Sequence, residues 1–370
     1  MTTLRIAQVC ADRGVVPGGT KGASQHLRGI AGGLIGLGQH VETFAARDTD
    51  GDFPAKVRRL DDLASCADLD VVYERYSLGH RGGLTTARRL GVPFVLEVNA
   101  PLVDEATTHR PETVEPEHGE TELELLEAAD VVITVAGELS DWVADRRGGP
   151  VITQPNGFEP SWFTWADDPH DRPRGAAFPL VFLGHPKPWH GADRILPLLS
   201  ELARTGHRPR TLVIGGGPGA ARLLAAADHI HLRGQVVVTG ALPPAEASRL
   251  LSEAAIGLAP YPRRSPFYFC PLKVIDYLAA GLAVVSTDQG DIADLVGDAG
   301  IVIDDPDDDR ALADAVRLLL DDDDRRVAMG RVGRRRARET MTWAHVSATT
   351  LQAIDRVVRV GDLRSHGASA

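Results

Sequence analysis

The chain alternates short apolar runs with amphipathic stretches, and this alternation constrains its fold more than any other feature. Apolar runs bounded by turn residues predict buried strands. Between the first two runs, Leu27, Ile30 and Leu34 recur at spacings of three and four, as on one face of a helix. Strands alternating with helices predict a parallel, doubly wound α/β sheet. In the first half the predicted strands cover residues 4–10, 40–46, 70–74, 93–98, 130–135 and 150–154.

A segment without period, rich in Pro and Trp, follows Asn156 and ends near Phe178, which predicts an interdomain linker. The alternation then resumes, and 370 residues are enough for two domains. We predict an N-terminal domain over 1–170, a C-terminal domain over 178–340, a helix over 342–360 that packs back on the first domain, and a disordered polar tail. Strands of the second half are predicted at 179–184, 211–216, 236–240, 255–260, 283–287 and 300–304.

Composition excludes several classes of protein. A net charge of −11 disfavours nucleic-acid binding and leaves at most weak contact with a membrane. No stretch approaches the roughly 18 apolar residues of a membrane helix, and no signal peptide is evident, so a cytoplasmic protein is expected. Three cysteines without CxxC spacing predict neither a disulfide framework nor a zinc site.

Two acidic runs, 304–309 and 321–324, raise the question of a metal site, because paired carboxylates bind hard cations. Both runs lie next to a predicted helix, where acidic residues favour the positive end of the helix dipole. We therefore expect solvated and helix-capping carboxylates there and no metal site.

Residues 265–287 carry the most informative motif, a loop of aromatic and proline residues followed by an apolar helix that ends at Gly281. Asp276 lies early in this helix, where a carboxylate can accept hydrogen bonds from ligand hydroxyls. The backbone N–H groups of Phe269, Cys270 and Leu272 would be unpaired donors for an anion. The alternative is that Asp276 is simply a solvated residue of a helix.

This motif resembles the Glu-x7-Glu region of glycosyltransferase family 4, in the version that reads YFSPLKxFEYMAAGxPVV. The second acidic position, which holds the ribose of the nucleotide in that family, falls on Asp276. The first, which contacts the donor sugar, falls on Tyr268. The resemblance therefore implies ribose binding by Asp276. The carboxylate that contacts the donor sugar in the family is absent here, because Tyr268 occupies its position.

Other blocks follow in the order of the same family. Residues 17–27, with Gly19 and Lys21, resemble its Gly-rich loop near the donor phosphate and the acceptor. Asn99 stands where the wider family often has a His near the reacting sugar, and an amide cannot act as a general base. Residues 155–163 resemble the signature that closes the N-terminal domain.

The block at 183–193 resembles the one whose Arg and Lys bind the donor diphosphate. Aligning Gly184 places His185 and His190 at those two positions, with Lys187 between them. A departing diphosphate needs fixed positive charge, so Lys187 is the expected cation. The alternative is that the two imidazoles carry the charge.

The run IGGGPGAARL at 214–223 also fits the dinucleotide pattern GxGxxA. No Asp or Glu ends the following strand to hold the ribose of a nicotinamide cofactor, so that interpretation fails. In the family comparison Gly216 belongs to a turn near the donor, and Thr239, Gly240 and Leu242 line the nucleobase pocket.

The resemblance implies the GT-B architecture: two Rossmann-like doubly wound domains facing each other across a cleft. It also implies a retaining, metal-independent glycosyltransferase without a cofactor, in which a UDP- or GDP-linked sugar is the co-substrate. A small soluble acceptor is expected. The alternatives are a phosphorylase or sugar-nucleotide epimerase of the same fold, or a protein that binds a sugar nucleotide without transfer.

Overall fold

The structure is a computed structural model that describes residues 2–163, 178–230 and 232–367. The chain divides into two compact units. The first comprises Met1–Gly157, Tyr268–Cys270 and Trp343–Ala370, and the second comprises Phe158–Phe267 and Pro271–Thr342. Most of the predicted linker and the last three residues of the predicted tail lie outside the described residues.

The first unit is built on a seven-stranded sheet in the order β3-β2-β1-β4-β5-β6-β7, and every pairing is parallel. Its central strands are buried on both faces, so they are apolar almost throughout. The strands are β1 Arg5–Cys10, β2 His40–Ala45, β3 Lys56–Arg59, β4 Val71–Arg75, β5 Phe94–Val98, β6 Val131–Thr134 and β7 Val151–Thr153. The helices are α1 Gly22–Gly36, α2 Gly82–Leu90, α3 Leu102–His109, α4 Glu117–Ala128, α5 Gly137–Ala144 and, at the end of the chain, α13 Trp343–Gly367.

The second unit is built on a six-stranded parallel sheet in the order β10-β9-β8-β11-β12-β13. Apolar residues of the strands and helices form one core around this sheet. The strands are β8 Phe178–Leu183, β9 Thr211–Ile214, β10 Val236–Gly240, β11 Ala254–Ala259, β12 Ala283–Thr287 and β13 Gly300–Ile303. The helices are α6 Ile195–Arg204, α7 Pro218–His229, α8 Pro244–Leu251, α9 Leu272–Ala280, α10 Ile292–Val296, α11 Asp309–Asp321 and α12 Asp323–Thr340.

The twelve predicted strands are all present, with ends that differ from prediction by at most two residues. The sequence analysis missed β3, which reads KVRR. This strand lies at the edge of the sheet and pairs only with β2, so its side chains need not be apolar. Arg58 of β3 lies over the Phe44 ring and donates a hydrogen bond to Glu42.

Both sheets have the strand order of a doubly wound fold, in which the chain starts in the middle and reverses direction once. The reversal falls between β1 and β4 in the first sheet and between β8 and β11 in the second. At such a switch point the loops of two neighbouring strands run to opposite sides and leave a crevice for a ligand. Each unit therefore has one favoured ligand position at the carboxyl ends of its strands.

Small residues on α1 allow the last helix, α13, to pack closely against the first unit. A Cβ added at Gly29 would overlap the Trp343 ring, and one added at Gly33 would overlap the Ser347 hydroxyl. Trp343 also packs edge-on against His26, with 5.4 Å between the ring centroids. The two helices are thus in near-backbone contact.

Among the described residues, no helix combines the length and the apolar character needed to cross a bilayer.

We predict that Gly29→Ala lowers the thermal midpoint of unfolding, because the added methyl group overpacks the contact with Trp343 at a cost of about 1 to 3 kcal/mol. Gly32→Ala is the matched control: its new methyl would meet only Pro54, at 3.5 Å. That control should stabilise α1 by about 0.5 to 1 kcal/mol, since Ala is the better helix former. Equal effects of the two substitutions in circular dichroism melts would contradict close packing of α13 on α1.

Candidate functional site

Loops that follow β8, β9 and β11 converge at the switch point of the second sheet. The loop after β8 runs from Gly184 to Gly191. Gly191 has φ of +69°, and a Cβ there would overlap the carbonyl oxygen of Pro260, just after β11. The close approach of these two loops therefore requires glycine.

The Tyr277 hydroxyl fixes the spacing of β8 and β11. It accepts a hydrogen bond from the Leu183 backbone N–H (2.8 Å) and donates one to the Leu258 carbonyl (3.0 Å). Gly257 provides the space for its ring, since a Cβ there would overlap it. Tyr277 belongs to α9, so this helix is held in register with the two strands that flank the switch point.

Lys273, in the first turn of α9, is a buried cation without an acceptor. Its side chain is 7% exposed, and Nζ has no hydrogen-bond partner among the described residues. Nζ lies 4.0 Å from the centroid of the Phe182 ring and 5.1 Å from that of Tyr261. Burial lowers the pKa of the ammonium to about 7, because the charged form loses its hydration.

Asp276 lies one turn further along α9, on the same side of the helix as Lys273. It is half-buried, and desolvation raises the pKa of its carboxyl to about 7. Over the described parts of the chain, no hydrogen bond or ion pair engages its side chain. α9 thus presents two unsatisfied groups of opposite charge at the switch point.

The two histidines of the β8 loop hydrogen-bond to backbone oxygens. The His185 Nδ1 lies 2.9 Å from the Gly216 carbonyl, and the His190 Nδ1 lies 2.7 Å from the His185 carbonyl. Burial, and then the charge of Lys273, lowers the pKa of His190 to about 4. A neutral imidazole at physiological pH weakens the alternative in which the histidines carry the charge.

Lys187, the expected cation, is exposed, with Nζ 4.9 Å from the centroid of the Trp189 ring. The predicted base-pocket residues lie at the end of β10, where the Thr239 hydroxyl donates to the Gly240 carbonyl (2.8 Å) and Leu242 is half-buried. Gly215 and Gly240 form an isolated bridge, which places the β9 and β10 loops side by side.

The first unit has a network of buried polar groups at its own switch point, centred on Glu97 at the end of β5. The Glu97 carboxylate contacts the His26 Nε2 (2.8 Å), the Arg75 guanidinium (3.0 Å) and the Tyr73 hydroxyl. Burial alone would raise the pKa of this carboxyl, but these partners outweigh burial and hold it at about 2. Glu97 is therefore ionised and fully paired.

Asn99 extends this network, because its amide donates a hydrogen bond to Glu97. The Gly-rich loop lies before α1: the Gly19 N–H donates to the Val16 carbonyl (2.9 Å), and the exposed Lys21 donates to the Gly14 carbonyl (3.3 Å). Glu97 thus fixes the orientation of the Asn99 amide. The position of Asn99 in the sequence does not reveal this contact.

Residues 268–270 group with the first unit, which differs from the predicted domain boundaries. The Tyr268 hydroxyl donates to Glu105 (3.1 Å), and the Asn156 amide donates to the Cys270 carbonyl (3.4 Å). Phe269 packs edge-on against Tyr268. Leu272, in contrast, begins α9 of the second unit. The predicted donor-binding loop is thus divided between the two units.

Carboxylates of the two acidic runs have structural partners. Asp308 and Asp322 accept hydrogen bonds from backbone N–H groups and cap α11 and α12. Asp309 pairs with the buried Arg194, and two others pair with Arg263. In the part of the chain that the structure describes, no three His, Cys, Asp or Glu side chains lie together as a metal site would require.

Sequence reasoning missed two functional candidates, Lys273 and Glu97. Lys273 interrupts the apolar face of the predicted helix only three residues before Asp276, which is a signal that could have identified it. Glu97 interrupts the apolar run of β5 in the same way. A charged residue within a strand or helix that is otherwise apolar indicates a buried charge with a partner or a ligand.

Residues 177–322 match the family described as Glycosyl transferases group 1. A D-inositol 3-phosphate glycosyltransferase from Kineococcus radiotolerans is 27% identical over 315 residues, which are 78% of this chain and 72% of the relative.

Among solved structures, a sucrose-phosphate synthase from Thermosynechococcus elongatus has a TM-score of 0.76 at 17% identity, over 96% of this chain and 100% of the other. HepE from Anabaena, in complex with UDP and glucose, has a TM-score of 0.70 at 15% identity, over 95% and 100%. These similarities confirm the predicted GT-B fold. The sequence matches, rather than the structural ones, indicate an enzyme of the glycosyltransferase class.

We predict that Glu97→Gln destabilises the protein by about 3 to 5 kcal/mol at pH 7, because it leaves the largely buried Arg75 without its anion. The pKa of Glu97 is lowered on folding, so its contribution is present above about pH 4.3 and is lost as pH falls toward 2.

Urea unfolding should therefore show a large difference in the free energy of unfolding between parent and variant at pH 7. At pH 3 that difference should be smaller. Glu127→Gln, at an exposed position of α4, is the control and should change the midpoint little. A difference that does not depend on pH would show that Glu97 is not ionised in the folded protein.

Proposed function

We propose that this glycosyltransferase takes its sugar from a nucleoside diphosphate sugar, that the second unit binds the nucleotide, and that Asp276 holds the ribose. The observation that carries the proposal is the half-buried carboxylate of Asp276 at the switch point of the second sheet, which has no hydrogen bond or ion pair with any residue that the structure describes. Ribose hydroxyls are donors of the kind that such a carboxylate accepts.

The position of this carboxylate supports the proposal. Nucleotides bind to doubly wound sheets at the carboxyl ends of the strands, where the strand order reverses. Burial removes hydration from the Asp276 carboxyl and raises its pKa, so hydrogen bonds from a ligand would stabilise its charged form. In the proposed complex the ribose hydroxyls supply those hydrogen bonds.

The names of similar proteins support a proposal for the chemical class of the donor and of the acceptor. HepE was solved with UDP, which favours uridine as the base. D-Inositol 3-phosphate, in the name of the Kineococcus relative, and sucrose phosphate, in the name of the synthase, are small polar molecules. We therefore propose a UDP-sugar as the donor and a small soluble acceptor.

The proposed reaction breaks the bond between the anomeric carbon and the oxygen of the diphosphate, which leaves with the electron pair. A hydroxyl of the acceptor forms the new bond to that carbon, and its proton passes to the departing diphosphate. As the family resemblance implies, the anomeric configuration is retained, which the coupling constant of the anomeric proton in the product would report.

Side-chain cations, rather than a metal ion, are proposed to stabilise the departing diphosphate. The acidic runs are the obvious candidates for metal ligands, and six of their carboxylates already cap helices or pair with arginines. The positive charge required in the transition state is then a property of the chain itself.

We predict that Asp276→Asn weakens UDP binding by roughly ten- to a hundredfold, because charge-assisted hydrogen bonds are replaced by weaker neutral ones. Isothermal titration calorimetry at pH 8, where the parent carboxyl is mostly ionised, provides the measurement.

Asp294→Asn, at an exposed position of α10 in the same unit, should leave the affinity unchanged. If Asp276→Asn binds UDP as tightly as the parent, the ribose is not held by Asp276. If the parent binds none of UDP, GDP and ADP, the donor assignment itself is wrong.

We further predict that transfer from the donor continues in excess EDTA. The assay follows release of nucleoside diphosphate in the presence of an acceptor, with and without the chelator. Loss of turnover that magnesium or manganese restores would overturn the metal-independent mechanism.

A further inference from the structure

We propose that the Lys273 ammonium binds the diphosphate of the donor, in a site where this chain has His185 and His190 at the positions of the Arg and Lys in the block that it resembles. This inference rests on the proposed function and assigns the phosphate subsite to a residue of α9. It also replaces the exposed Lys187 in that role.

Burial of Lys273 is the first argument. An ammonium that is 7% exposed and has no acceptor among the described residues has lost its hydration without gaining a hydrogen bond. The rings of Phe182 and Tyr261 face it and offset only part of that loss. An anionic ligand would provide the missing acceptor, because a buried charge is stabilised mainly by pairing.

Its position on the sheet is the second argument. Phe182 belongs to β8 and Tyr261 follows β11, so Nζ lies between the two strands that flank the switch point. A Cβ at Gly184, the first residue after β8, would lie 3.9 Å from the Lys273 Cε. The side chain therefore reaches the start of the crevice in which a nucleotide binds to such a sheet.

The third argument is the spacing of Lys273 and Asp276. The two residues are three apart on one side of α9, about 4.5 Å along the helix axis. In a nucleotide, the phosphates are attached at the 5′ carbon, away from the 2′ and 3′ hydroxyls. Asp276 would therefore face the ribose hydroxyls, and Lys273, about one turn away, would face the phosphates. This is the order in which the nucleotide carries those groups.

The other cations of the site are less suited to the role. His190 has a pKa lowered to about 4 by burial and by Lys273, so it is neutral. The His185 Nδ1 is engaged by the Gly216 carbonyl. Lys187 is exposed, and a charge in water stabilises an anion less than a charge shielded from it.

Proton uptake on binding gives a direct test in the unmodified protein. The pKa of Lys273 is about 7 in the free protein, and a bound diphosphate raises it, because the anion favours the ammonium. At pH 8 the free amine is mostly neutral, whereas the terminal phosphate of UDP, with a pKa of about 6, is already deprotonated. UDP binding at pH 8 should therefore take up close to one proton.

Asp276 and Tyr277, two titratable neighbours of Lys273, would not take up a proton when UDP binds at pH 8. Asp276, with a pKa of about 7, is mostly ionised at pH 8 and could only release a small fraction of a proton. The pKa of Tyr277 is raised by burial, so this phenol stays neutral. His190, His185 and Tyr261 remain as neighbours from the two loops, and the variant below separates their contributions from that of Lys273.

The experiment compares the parent with Lys273→Met, which removes the charge at nearly constant volume. UDP and uridine are titrated at pH 8 in two buffers of different ionisation enthalpy. We expect Lys273→Met to weaken UDP binding by more than about tenfold, to change uridine binding by less than about twofold, and to abolish proton uptake. Lys187→Met tests the competing cation, and Lys56→Met, on the edge strand of the first unit, is the matched control.

The outcomes separate this inference from the proposed function. Equal UDP affinity of Lys273→Met and parent, no proton uptake by the parent, or an equal loss for UDP and uridine would each overturn the role of Lys273. A larger loss in Lys187→Met would return the role to Lys187. If the parent binds no nucleoside diphosphate, the proposed function fails as well. If Lys273→Met does not fold, Lys273→Arg replaces it: its guanidinium is already charged at pH 8, so UDP should bind without proton uptake, and uptake equal to that of the parent would overturn the role of Lys273.

Discussion

Burial of parallel strands on both faces is the constraint from which the rest of this structure follows. Strands such as β5 and β12 have helices on either side, so their side chains must be apolar along most of their length. Polar chemistry is then confined to the loops at the ends of the strands. The reversal of strand order decides which of those loops diverge, and in the second unit they are the loops after β8 and β11.

Close packing at this edge depends on residues that hold the two strands together. Tyr277 hydrogen-bonds to the backbone of both β8 and β11, and Gly257 and Gly191 permit the approach of its ring and of the neighbouring loop. The same arrangement places α9 directly beside the switch point. Lys273 and Asp276 are therefore positioned by contacts that themselves have no chemical role.

The two units treat buried charge in different ways. Glu97 in the first unit is paired with His26, Arg75 and Tyr73, and its low pKa is the result of those partners. A network of that kind is complete and rigid, and it orients Asn99. Among the residues that the structure describes, Lys273 and Asp276 in the second unit have no such partners, and burial moves both of their pKa values to about 7. A complete network stabilises a fold, whereas unsatisfied groups at a switch point are suited to a ligand.

The sequence by itself determined the fold class and nearly every strand, because the period of apolar residues is a local property that does not depend on what packs against it. It also singled out Asp276 as a candidate for the donor site, since the motif around that residue is contiguous in the chain. It did not identify β3, whose polar side chains are tolerated only because it lies at an edge of the sheet. Only the tertiary structure decided that Lys273 is buried without an acceptor in the described part of the chain and that Glu97 is fully paired. The physical reason is that hydration and pairing of a charge depend on residues distant in sequence, such as Phe182 for Lys273 and His26 for Glu97.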